Sequence, residues 1–179
     1  GEIYLTIGGI GGLFSAAMAF LEKDDEVIYF DPSYPLHLSQ IHLAQAKPVF
    51  VSYNEDDSWS IDLEKLEKAI TAKTKMIILT NPNNPTGTVL SEAEVRKLSE
   101  IVLKHNLILL LDEAYDFLTY EKELFSPLRV SELRNNLIVC KSFSKEFAMT
   151  GWRIGYVYAN SEIIAKINDV HVYFSVGPV

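Results

Sequence analysis

The 179-residue sequence has one cysteine, four histidines, and only 16 basic residues against 24 acidic ones. One cysteine excludes an internal disulfide framework, and that usage fits a reducing, cytoplasmic setting. Cys140 sits in the apolar run Leu137-Ile138-Val139-Cys140 and reads as a buried structural thiol. The formal charge of −8 and a pI near 5 argue against nucleic acid or an anionic membrane as main partner, since both need concentrated Lys and Arg. No run approaches 18 apolar residues, so no membrane span is expected. The start, Gly1-Glu2-Ile3-Tyr4, lacks the basic segment of a signal peptide. The histidines, at 37, 42, 105 and 171, do not fall at ligand spacing, and no metal site is expected.

What is present is a globular balance, 48% apolar and 22% charged. A chain of this length buries roughly 70% of its unfolded surface, enough for one core without staples. Short apolar runs recur at Ile3–Thr6, Val27–Phe30, Val49–Ser52, Met76–Thr80, Leu107–Leu111, Leu137–Cys140 and Ile154–Tyr158. Most are continuous, as in strands buried on both faces. Helical patterns fill the gaps. Ser91-Glu92-Ala93-Glu94 is a capping box ahead of Val95, Leu98, Ile101 and Val102. Asp62 and Ser161 are placed to cap two further helices, and Gly11 to Phe20 predicts a buried one. The alternation predicts an α/β sandwich with a mostly parallel, seven-stranded sheet and a single domain over residues 1–179.

In such sheets ligands bind beyond the carboxyl ends of the strands. Five polar segments follow apolar runs and are expected to open onto one crevice: Gly8–Gly12, Asp31–Tyr34, Asn81–Gly87, Asp112–Tyr115 and Ser142–Lys145. The glycines at 8, 9, 11 and 12 can let an anion approach free N–H groups at a helix start, with a tight structural turn as the competing reading. They form neither a dinucleotide fingerprint nor a phosphate loop with Gly-Lys-Ser/Thr. Ser142, Ser144, Lys145 and Arg153 bring two hydroxyls, an amine and a guanidinium close together. Arg153 can grip phosphate in two places, and crowding with partial desolvation would make the Lys145 amine a nucleophile. A solvated surface Lys and Arg is the alternative. The Ser142-x-x-Lys145 spacing matches a β-lactamase pattern whose other motifs are missing.

Four motifs in order carry a resemblance. Asn81-Pro82-x-Asn84-Pro85-Thr86-Gly87, Asp112-x-Ala114-Tyr115, Ser142-x-Ser144-Lys145 and Gly151-Trp152-Arg153-Ile154-Gly155-Tyr156 resemble the class I/II aminotransferases of pyridoxal phosphate (PLP) fold type I. The likeness covers nearly the whole sequence. It implies the three-layer α/β/α sandwich of the PLP-binding large domain, amino acid and 2-oxo acid substrates, and a homodimer. It also implies that an N-terminal arm and a C-terminal small domain lie outside these residues, a view supported by the missing initial Met.

By the same resemblance, Lys145 would carry PLP as a Schiff base and act as general base and acid. Asp112 would pair with the pyridine nitrogen. Tyr115 and Asn84 would donate to the ring oxygen, and Tyr34 would stack on the ring. Gly9, Ile10, Ser142, Ser144 and Arg153 would hold the phosphate, Ile10 through its backbone N–H alone. Arg96, Arg129 and Arg134 lie outside the motifs and do not substitute for the arginine that binds the substrate carboxylate in the family. The same scaffold also serves C–S and cyclopropane-forming lyases, and the effector domains of transcription regulators with an upstream winged helix.

Overall fold

The computed structural model describes residues 1–120 and 123–175. Seven strands form one sheet: β1 (Ile3–Ile7), β2 (Glu26–Asp31), β3 (Lys47–Ser52), β4 (Thr74–Thr80), β5 (Ile108–Asp112), β6 (Leu137–Ser142) and β7 (Ile154–Tyr158). Their order is β1-β7-β6-β5-β4-β2-β3. The pairs among β3, β2, β4, β5 and β6 are parallel, whereas β7 runs antiparallel to both β6 and β1. Each expected strand is present, within a residue or two at its ends. The central strands bury nearly every residue, which is why their sequences are unbroken apolar runs, whereas edge strand β1 alternates exposed and covered positions.

Among the described residues six α-helices accompany the sheet: α1 (Gly8–Phe20), α2 (Pro35–Leu43), α3 (Leu63–Ala69), α4 (Glu92–Lys104), α5 (Phe143–Glu146) and α6 (Ser161–His171). On one face Leu13, Ile41, Ile163 and Ile167 pack with Val27, Ile78, Leu110 and Ile138. On the other, Leu66, Val95, Leu98 and Val102 pack with Ile28, Ile77, Leu109 and Val139. Each fully buried aliphatic side chain contributes about 1.5–3 kcal/mol, so two such layers fix which face of every strand looks where.

The caps follow the side-chain chemistry. Ser91 accepts from the Glu94 N–H while Glu94 Oε2 accepts from the Ser91 N–H at 2.8 Å, completing the box at α4. Asp62 accepts from the Lys65 N–H at 2.9 Å. Two expectations need correction. The cap of α6 is Asn160, whose Oδ1 accepts from the Ile163 N–H at 2.8 Å, so Ser161 is already the first helical residue. Helix α1 begins at Gly8 rather than Gly11. Its glycines, poor helix formers, are there for proximity: a Cβ at Gly12 would lie 2.6 Å from Val157 Cγ2.

The reversed direction of β7 decides what stands at the sheet's edge. Because β7 runs against its neighbours, its first residues share that edge with the last residues of β4, β5 and β6. Arg153, just before β7, therefore reaches the crevice formed by the carboxyl ends of the parallel strands. No helix among the described residues is long and apolar enough to cross a membrane.

Candidate active site

A cavity of about 390 Å³ opens at that edge, within the usual range for a small-molecule site. Its lining includes all ten residues singled out from sequence: Gly9, Ile10, Tyr34, Asn84, Asp112, Tyr115, Ser142, Ser144, Lys145 and Arg153. Leu13, Thr80, Ala114 and Thr150 complete it. Each of the five polar segments contributes at least one side.

One wall is an anion cradle. Helix α1 starts there with no side-chain cap, so the Gly9 and Ile10 N–H groups face outward at a positive helix end. Gly8 adopts φ +61° and donates its N–H to the Arg153 carbonyl at 2.7 Å. Arg153 is itself left-handed, at φ +54°, and its Nη1 donates to the Thr150 carbonyl at 3.1 Å. Ser142 Oγ accepts from the Ser144 N–H at 3.2 Å and borders the same space. Backbone crowding sets the limits. A Cβ at Gly155 would lie 2.5 Å from both Gly8 C and Gly9 N, and 2.6 Å from the Lys141 carbonyl oxygen. Since these are backbone atoms with nowhere to go, Gly155→Ala is expected to destabilise the chain by about 1–3 kcal/mol in urea unfolding. Unchanged unfolding would show that the backbones are not in tight contact.

Opposite the cradle lies a carboxyl group with little support. Asp112, at the end of β5, is buried; its Oδ1 accepts from the Ala114 N–H at 3.1 Å. Burial pushes its pKa up to about 7, a shift that the Ala114 bond opposes and the neighbouring Glu113 charge adds to. His37 Nε2 stands 3.6 Å from Asp112 Oδ2 and 2.9 Å from Thr80 Oγ1. Its Nδ1 lies 3.4 Å from Gln40 Oε1. That separation would allow an ion pair, but desolvation drives the His37 pKa down to about 4, so the ring stays neutral and the contact is a dipolar one. His37 and Thr80 escaped the sequence reading. The available signal was spacing: with Pro35 opening α2, position 37 lies three residues from Tyr34 and comes round to the same side. The two rings meet edge-to-face at 5.4 Å.

Asn81 and Asn83, not Asn84, shape the loop after β4. Asn81 Oδ1 accepts from the Leu90 N–H at 3.0 Å, and Asn83 Nδ2 donates to the Pro32 carbonyl and to Thr86 Oγ1. Asn84 is left facing the cavity. Lys145, in the one-turn helix α5, places its Nζ 5.9 Å over the Tyr115 ring. Its side chain is exposed to the open cavity. Arg96, Arg129 and Arg134 lie on the surface, paired with Glu92, Glu123 and Glu2 respectively. Cys140 is buried within the sheet, and burial pushes its thiol pKa up, as expected of a structural residue.

The family model for aminotransferase class I and II matches residues 2–177. The chain belongs to the class I and II aminotransferases. The aspartate aminotransferase of Sulfolobus acidocaldarius is 42% identical over 94% of this chain and 43% of its own length. That of Bacillus subtilis is 34% identical over 99% of the chain and 46% of its own. The solved Thermus thermophilus aspartate aminotransferase with maleate superposes at a TM-score of 0.95 with 34% identity, over 99% of the chain and 46% of that structure. The chain thus spans less than half the length of the relatives it matches.

PLP is the cofactor of this family, and the residues present fit it. A buried carboxyl whose pKa burial raises to about 7 suits a cationic ring nitrogen. Free N–H groups, a hydroxyl and a guanidinium suit a phosphate. An amine between them suits an aldehyde.

Proposed function

We propose that residues 1–179 are the cofactor-binding large domain of a PLP-dependent aminotransferase, moving an amino group between an amino acid and a 2-oxo acid with Lys145 as the tethering lysine. One observation carries this reading: the Lys145 amine, the Asp112 carboxyl and the α1 cradle line a single cavity. Bound PLP would supply the electron sink for the charge left when a substrate Cα–H bond breaks.

The chain's own groups do the rest. Lys145 Nζ takes the proton from the substrate Cα and returns it on the other side of the transfer. Asp112 holds a proton on the ring nitrogen, and His37 with Thr80 fixes the carboxyl's direction. Tyr34 would cover one ring face, while Tyr115 and Asn84 would donate to the ring oxygen. Arg153 would offset the phosphate charge, and Gly9, Ile10, Ser142 and Ser144 would donate hydrogen bonds to it. The names of several relatives support aspartate as amino donor. Homodimeric assembly and a cytoplasmic setting belong to the same proposal, the latter supported by the single unpaired cysteine.

The decisive experiment is direct. PLP added to the purified chain should give a new absorbance band that borohydride fixes, and peptide mapping should place the reduced adduct on Lys145. An adduct spread over surface lysines, with Lys145 unmodified, would overturn the assignment.

A further inference from the structure

Behind the cavity wall, on the opposite side of β5 from Asp112, lies a charge cluster that none of the roles above uses. Glu113 follows Asp112 and so points to the other face, where its side chain is 0% exposed. Its Oε1 accepts from Ser126 Oγ at 2.6 Å, and its Oε2 lies 3.2 Å from Lys141 Nζ. The same ammonium also binds Asp116. Lys141 stands on β6 immediately before Ser142. Burial alone would depress the Lys141 ammonium, but the bond it donates to Asp116 and the Glu113 charge outweigh it and raise the pKa to about 12. For Glu113, burial raises the pKa while Ser126 and Lys141 oppose that shift. Tyr156, the partner of Lys141 across β6 and β7, has its pKa raised by burial, with Lys141 opposing and Asp116, Glu146 and Glu113 adding to the rise, and Asp112 on the other face also feels the Glu113 charge.

The arrangement is specific because Glu113 and Asp116 flank Ala114 and Tyr115. Resting on the aminotransferase reading for the role of Tyr115, we infer that Lys141, Glu113 and Asp116 form a clamp that fixes the Tyr115 segment to strand β6, making them positioning residues for the phenol that meets the cofactor. The Glu113 N–H donates to the Cys140 carbonyl at 3.0 Å and ties the start of the segment to β6; without Lys141 the turn closed by the Leu118 N–H on the Tyr115 carbonyl would lose the side-chain tie that Asp116 gives it beyond that point. An unpaired Glu113 inside the protein would then drive the segment outward.

The test has one readout that needs no cofactor and one that does. Amide hydrogen exchange over residues 114–118 in the ligand-free chain should accelerate at least about tenfold in Lys141→Met and recover in Lys141→Arg, which keeps the charge. With PLP, the pH midpoint of the adduct's absorbance should rise by about one unit in Lys141→Met, the scale of one lost hydrogen bond. The direction follows because a phenol donating to the ring oxygen favours the adduct's more anionic form. The double variant E113Q/K141M removes the fully buried carboxylate and leaves only the partly exposed Asp116 without its lysine, so it should regain thermal stability, yet keep the fast exchange. It also keeps the test open if Lys141→Met alone does not fold. Unchanged exchange in Lys141→Met, or wild-type exchange in the double variant, would overturn the clamp. Should the wild-type chain form no band with PLP, the aminotransferase reading fails, while exchange still decides the clamp.

Discussion

Replacing Lys145 by alanine is expected to remove the borohydride-fixed adduct altogether, and to lower kcat in the complete enzyme by at least about 10⁴. On the proposed reading two functions would vanish together: the amine that tethers the cofactor, and the base that moves the Cα proton. The fold should be indifferent, because Lys145 is exposed and its described contact is the distant Tyr115 ring. A thermal midpoint within about 2 °C of the parent chain would confirm that the loss is chemical. Lys145→Arg sharpens the result, since it keeps a cation in the cavity but offers no amine that can condense with an aldehyde. An adduct of undiminished yield in either variant would mean that another lysine does the work.

Asp112→Asn should produce opposite effects on activity and stability. In the complete enzyme the rate is expected to fall by about 10²–10³, since a neutral amide cannot hold the ring nitrogen protonated. In the ligand-free chain the same change should stabilise. The folded Asp112 pKa of about 7 lies above the unfolded value of 3.8, so its contribution is fully present below pH 4 and is lost as pH rises through 7. The span corresponds to something on the order of 4 kcal/mol. Urea unfolding at pH 5 and pH 8 should therefore show the parent chain losing stability relative to the variant. His37 titrates in the reverse sense, with stability present above 6.5 and lost as pH falls toward 4. Both proteins carry His37, so it largely cancels in the comparison. A parent-minus-variant difference that does not change with pH would show that Asp112 is better solvated than its burial implies.

Much of this site was legible because the sequence places its chemistry at strand ends. An apolar run buried on both faces announces itself without periodicity, and the polar residues after it can only lie at the sheet's edge. The reading weakened where a segment's residues serve something distant. Helix α2 buries His37 and Gln40 beside Ile41, so its pattern is neither apolar nor clearly amphipathic, and the histidine behind Asp112 went unseen. The first turn of α1 looked like loop because glycine is a poor helix former, yet backbone contact with Gly155 demands it. Ser161 and Asn160 are both good caps, and only the backbone geometry separates them. The Lys141 pairing has no local signature at all, since its partners are brought together only by the adjacency of β5 and β6.

The position of the last strand beside the first also sets an order of assembly. The pairing of β1 with β7 joins Ile3 to Tyr158, nearly the full span of the described chain. During synthesis β1 must wait on the order of ten seconds for its neighbour to leave the ribosome, whereas β2 and β3 can pair almost at once. The wall that needs Gly8 seated against Arg153 is thus the last part of this sheet to form, and a nascent chain caught earlier would have a finished sheet centre without that edge.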